Sequence, residues 1–115
     1  MDTLITSSPI TLKWIEIIKS EIKRKNSSLI YSESKYWFSF KNLETNRKAV
    51  YLQPQKKQIR LFTKLDLTFD NSLKLTPASG SWADTFPSIF LITSEEAIVK
   101  AVKLIISSSK LDLQL

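Results

Sequence analysis

Two apolar stripes at opposite ends of the chain constrain its fold more than any other feature. Near the N-terminus Trp14, Ile15, Ile18 and Ile22 recur at three- and four-residue steps. Near the C-terminus Ile98, Val102 and Ile105 do the same, with Val99 and Ile106 beside them. Each stripe reads as the buried face of an amphipathic helix. The chain between them alternates in the two-residue period of strands. The simplest way to bury both stripes is to pack the two helices on one face of a sheet. The expectation is therefore an α+β fold, an antiparallel sheet of four to five strands with an N-terminal and a C-terminal helix on one face. At 115 residues the chain has the length of one domain, 1–115.

Local signals place the elements. Ser8 can cap the first helix, and Pro9 takes the first helical position, where its missing N–H costs nothing. Glu21 stands four residues before Lys25, a favourable helix pair, and Asn26-Ser27-Ser28 ends the helix. Tyr36–Phe40, Lys48–Gln53 and Gln58–Leu65 are rich in strand formers, with Pro54-Gln55-Lys56-Lys57 as a hairpin connection. Leu67–Leu75 holds at most a short strand, Thr76–Pro87 reads as loop, and Ser88–Ile92 as a further strand. Thr93 with Glu96 fits a capping box opening the second helix. Ser107-Ser108-Ser109 ends that helix, and the tail 110–115 frays. The expected core is Trp14, Ile15, Ile18, Ile22, Phe38, Phe40, Val50, Leu52, Ile59, Leu61, Ile98, Val102 and Ile105. Gly80 is the only glycine, so a turn that needs positive φ must use Asn, Asp or Ser.

Composition excludes several chemistries. There is no Cys and no His, which removes disulfides, thiolate nucleophiles, histidine bases and zinc sites built from either residue. One glycine cannot build a phosphate-cradling loop. Glu21-Ile22-Lys23 and Glu33-Ser34-Lys35 each match half of a metal-dependent nuclease pattern but lack a second carboxylate on a neighbouring strand. Asp66 and Asp70 read as turn residues, and Glu95-Glu96 as helix capping. A small enzyme would need the fold to gather Glu33, Asp66, Asp70 or Asp84. No catalytic residue, metal or cofactor is expected. No apolar run approaches the ~18 residues of a membrane span. Met1 to Pro9 lacks a basic region followed by an apolar stretch, so no secretory signal and a cytoplasmic location are expected.

The charge is unevenly placed. Seventeen Lys and Arg stand against eleven Asp and Glu, a net +6. Between Lys19 and Lys64 there are twelve cations and three carboxylates, so that segment carries +9 and the remainder −3. Such asymmetry points to a polyanion or an acidic surface as partner. If Phe38, Phe40, Val50, Leu52, Ile59 and Leu61 face the helices, alternation assigns the opposite face. That face would show Lys35, Trp37, Ser39 and Lys41, then Arg47, Ala49, Tyr51 and Gln53, then Arg60, Phe62 and Lys64. One ring per strand among cations is the composition of a single-stranded nucleic-acid platform, with bases stacked on rings and phosphates met by Lys and Arg. The candidate nucleic-acid-binding residues are Lys35, Trp37, Lys41, Arg47, Tyr51, Arg60, Phe62 and Lys64. The same three rings can equally form a second core, covered by Leu67–Pro87 or by a dimer partner. Trp82, two residues after Gly80, reads either as a plug over a tight turn or, with Asp84, as part of a pocket.

The stretch from Lys35 to about Ser109 resembles a small α+β domain family of unknown function. That family occurs at the C-terminus of bacterial and archaeal chains labelled "predicted transport protein". The likeness lies in Lys35-Tyr36-Trp37-Phe38-Ser39-Phe40-Lys41, in the hairpin from Val50 to Leu61, and in Ser79-Gly80-Ser81-Trp82 followed by a strand and the helix opening Thr93-Ser94-Glu95-Glu96-Ala97. It implies a stand-alone or appended accessory module and no catalytic residue. The expected function is a non-enzymatic module for nucleic acid, single-stranded, or else a protein-interaction or homodimerisation domain. The expected partners are a single-stranded nucleic acid, a second copy or another protein, and not a membrane.

Overall fold

The computed structural model describes residues 7–34, 37–77 and 81–115, the last without the Ser81 side chain. The elements are α1 (Pro9–Lys25), β1 (Leu29–Glu33), β2 (Phe38–Asn42), β3 (Lys48–Pro54), β4 (Ile59–Thr63), β5 (Lys74–Leu75), α2 (Ser81–Thr85), β6 (Ser88–Ile92) and α3 (Ile98–Leu113). One antiparallel sheet of six strands runs in the order β1-β2-β3-β4-β6-β5. The fold is α+β, with more strands than the four to five expected.

α1 begins where Ser8 and Pro9 place it. The Ser8 hydroxyl accepts from Thr11 N–H, and Ser8 N–H donates to Thr11 Oγ1 at 3.0 Å, a reciprocal capping box. Ser8 Oγ also donates to the Lys56 carbonyl at 2.7 Å, tying the start of α1 to the β3–β4 hairpin. Glu21 pairs with Arg24, at 2.8 Å, rather than with Lys25. α1 and α3 pack together on one face of the sheet, and every residue of the expected core is buried there. The chain reverses between β2 and β3 through Asn46, which takes φ 59°. Asparagine fills the left-handed position that a glycine-poor chain must assign to Asn, Asp or Ser.

Four features differ from the sequence expectation. β1 is a full strand over Leu29–Glu33, a stretch to which local signals assign no element. The 76–87 segment is not all loop, since Ser81–Thr85 forms the short helix α2. The capping box at Thr93 and Glu96 does not form; a 3-10 turn, Glu95–Ala97, leads into α3 without a side-chain cap. Finally α3 continues through the three serines to Leu113. Polar contacts to the sheet hold this extension. Ser108 Oγ accepts from Lys64 N–H at 2.9 Å and donates to the Ala49 carbonyl at 2.8 Å, while Asp112 is fully buried.

Candidate nucleic-acid interface

The sheet face opposite α1 and α3 is the one the sequence reading assigns to binding. Register fixes its rows. Ser32, Ser39, Tyr51, Phe62, Ile89 and Lys74 are successive cross-strand neighbours from one edge of the sheet to the other. Gln53, Arg60 and Leu91 form the next row, and Arg60 donates to Gln53 Oε1 at 3.0 Å. Ile30 and Lys41 begin a third row on the other side.

The rings do not form an open platform. Trp82, on α2, packs within 5.6 Å of the centroids of four other rings, those of Trp37, Tyr51, Phe62 and Phe86. Phe62 and Phe86 are buried, and Trp37, Tyr51 and Trp82 are half-buried around them. Edge-on and tilted contacts dominate, such as Trp37 against Phe62 at 70° and Tyr51 against Phe86 at 82°. The segment that covers them is closed at its base. Thr76 N–H donates to the Pro87 carbonyl at 3.1 Å and Thr76 Oγ1 donates to the Phe86 carbonyl. This is the second core that the sequence left open as an alternative, closed by the chain itself. Phe62 has no face left for a base, because Trp82 lies against it and the Arg60 guanidinium stands 5.0 Å from its centroid. Trp82 acts as the plug; Asp84 is exposed beside it.

Two of the expected cations are committed elsewhere. Asp112 gathers Arg47 Nε at 2.9 Å, Lys64 Nζ at 2.6 Å, Asn42 Nδ2 at 2.7 Å and Thr45 Oγ1 at 2.7 Å. Burial pushes the Asp112 carboxyl up, but the hydrogen bonds from Lys64, Asn42, Thr45 and Arg47 together outweigh it and hold the group well below the ordinary carboxylate range. Arg47 thus points to the α3 side, and Lys64 is buried at the end of the sheet. The reason for the Arg47 error is a bulge. The β2–β3 register shifts between Phe40 and Lys41, so that Lys41 pairs with Lys48 while Phe40 pairs with Val50. One extra residue on β3 inverts the alternation before Val50. Ala49 then joins the helix-side core, and Lys48 takes the outer face in place of Arg47. Lys48 Nζ donates to Ser32 Oγ at 2.9 Å and to Ser39 Oγ at 3.0 Å.

Of the eight residues expected to bind, Trp37, Lys41, Tyr51 and Arg60 lie on this face with solvent access. Phe62 is on it but covered, Arg47 and Lys64 serve Asp112, and Lys35 lies outside the described residues. Lys48 is the residue that strict alternation missed. Asp66 and Asp70 each accept hydrogen bonds from their own turns, from Thr68 and Ser72 respectively, and Asp70 also meets Lys100 at 3.3 Å. No cluster of three or more acidic residues suited to a metal occurs among the described residues. Nor is any described helix long and apolar enough to cross a membrane.

The class defined by this geometry is a small α+β domain with helices on one sheet face and a plugged aromatic cluster on the other. No family model, curated protein or solved structure matches the chain.

Proposed function

We propose that this is a non-enzymatic, cytoplasmic nucleic-acid-binding module that takes single strands on the outer face of its sheet. Lys41, Lys48 and Arg60 meet phosphates, and the open edges of Trp37 and Tyr51 meet bases. The platform of three free rings is not part of this reading, because Phe62 is covered. The observation that carries it is the pairing of Lys41 directly opposite Lys48, with no carboxylate in an ion pair with either among the described residues. Like charges opposed on neighbouring strands weaken a sheet. An anion lying across β2 and β3 converts that repulsion into attraction. Trp37, whose ring contacts among the described residues all lie within its own cluster, provides an intrinsic reporter on the same face.

A titration with an oligothymidylate at low salt, followed by tryptophan fluorescence, tests this. Neutralising three phosphates on a single strand gives a log–log salt slope of about −2. Replacing Lys41 and Lys48 together by Glu abolishes measurable binding while the circular dichroism spectrum stays unchanged. Absence of binding at low salt, or a slope that the double variant leaves in place, refutes the proposal.

A further inference from the structure

We propose that the chain self-associates through β1, two copies pairing these strands antiparallel about a twofold axis at Tyr31. The two edges of the sheet are treated differently. β5 is two residues long and carries Lys74, the kind of short, charged edge that resists pairing. β1 is five residues long, contains neither proline nor lysine, and pairs with β2 without a bulge. It is a docking edge of the kind that β-strand addition uses.

The ladder sets the register. Ser34 N–H donates to the Trp37 carbonyl and Leu43 N–H to the Ser28 carbonyl. Residues 28, 30, 32 and 34 therefore turn their backbone groups toward β2, and Leu29, Tyr31 and Glu33 turn theirs outward. Among the described residues, the one backbone hydrogen bond on that side is from the Leu29 N–H to the Asn26 carbonyl at 3.2 Å. With the axis at Tyr31, each Tyr31 N–H donates to the Tyr31 carbonyl of the second copy, and each Glu33 N–H donates to the opposite Leu29 carbonyl. The carbonyl of Leu29 has no backbone partner on that side among the described residues, even though its N–H does.

Charge selects a second copy over an arbitrary strand. Glu33 shares its side of β1 with Leu29 and Tyr31, the side of α1. A groove of about 300 Å³ beside β1 is lined by Lys19, Lys23, Ser27 and Leu29. Glu33 and Lys23 are exposed and have no ion-pair partner among the described residues, whereas Lys19 is held by Glu16 at 3.2 Å. The pairing sets Glu33 of one copy across from Leu29 of the other, within reach of its Lys23, and symmetry repeats the contact. On the outer side Ile30, 39% exposed, comes to lie beside Ser32 of the second copy. One strand edge covers much less than the ~1,600 Å² of a standard stable interface, so the dimer is weak and reversible.

Sedimentation equilibrium over a concentration series tests the pairing. Glu33→Lys and Lys23→Glu each raise the dimer dissociation constant at least about tenfold, and the double charge exchange returns it to within about threefold of the parent. Both side chains are exposed, so the variants retain the parent circular dichroism. Exchange protection at the Tyr31 and Glu33 amides rises with protein concentration. A chain that stays monomeric at its highest soluble concentration overturns the proposal, as does a dimer indifferent to both single variants. So does a monomer that binds an extended glutamate-rich peptide along β1, which assigns the edge to a foreign strand.

Discussion

Replacing Asp112 by Ala removes the group on which the end of the sheet and the last turns of α3 converge. The cost is set by what is left behind. Arg47 is 47% exposed and can return to water, so its loss is small. Lys64 is 6% exposed and its ammonium has no other carboxylate among the described residues. Asn42 keeps one partner, the Ser109 carbonyl at 3.0 Å, and Thr45 sits at the surface end of the network. Breaking a buried charge pair by removing one member costs about 3–5 kcal/mol, because the remaining charge stays desolvated. Against a domain stability of about 5–15 kcal/mol this is a large fraction. Urea unfolding followed by circular dichroism measures it as a lower midpoint with an unchanged slope. The companion variant Asp112→Asn with Lys64→Met removes both charges and recovers at least half of the loss. The effect also depends on pH. The Asp112 carboxyl has a lowered native value, so its contribution is complete above the ordinary aspartate range near pH ~4 and is lost as pH falls through that native value. A midpoint shift worth less than about 1 kcal/mol for Asp112→Ala at pH 7 refutes the claim that Lys64 depends on this carboxylate.

Three further outcomes follow from single residues. Asn46→Ala lowers stability by about 1 kcal/mol, since Ala keeps the Cβ but lacks the short polar side chain that offsets it at positive φ, and Asn46→Gly, with no Cβ, changes it little; thermal melts of both distinguish this from a lost side-chain contact. Trp82→Ala costs about 2–4 kcal/mol, below the value for a fully buried tryptophan, and blue-edge emission from Trp37 shifts red as the plug is withdrawn. Tyr31 ionises only above the ordinary phenol range, because burial raises it first and Glu33 and Glu16 add to the effect. Absorbance at alkaline pH should show Tyr31 titrating late and Tyr51, which burial also raises, above the ordinary phenol range, and stability should begin to fall above pH ~10, where the unfolded chain ionises first.

The fold was legible wherever hydrophobic spacing alone decides structure. The stripes of α1 and α3 and the alternation of Phe38, Phe40, Val50, Leu52, Ile59 and Leu61 lead directly to one sheet with two helices on one face. The losses fall where tertiary contacts override local propensity. Ser107-Ser108-Ser109 has poor helix propensity and reads as a stop. Ser108 and Asp112 are nevertheless held by Lys64, the Ala49 carbonyl, Asn42, Thr45 and Arg47, which are all distant in sequence. β1 was hidden for a related reason. Leu29-Ile30-Tyr31 carries strand formers, but the serines on both sides carry the signal of a loop, and only pairing with β2 resolves the two.

The site was legible in composition and not in geometry, and one inserted residue explains much of the gap. Alternation is reliable only while the register is unbroken. At the β2–β3 bulge it exchanges Arg47 for Lys48, and with them the destination of a charge. Arg47 becomes part of the polar clamp under α3, and Lys48 becomes the outer-face cation opposite Lys41. A bulge needs no sequence mark when the turn beside it is closed by Asn46 rather than glycine. The rings fail differently. Trp37, Tyr51 and Phe62 do share one face, as the period of two requires, yet a face so apolar cannot remain uncovered in a chain this short. The covering residues, Trp82 on α2 and Phe86 just past its end, stand four apart, and the Phe86 N–H donates to the Trp82 carbonyl at 2.8 Å, so one helical turn sets both over the same cluster. An unexplained aromatic pair at helical spacing in an apparent loop was therefore the available signal that the exposed platform had a lid of its own.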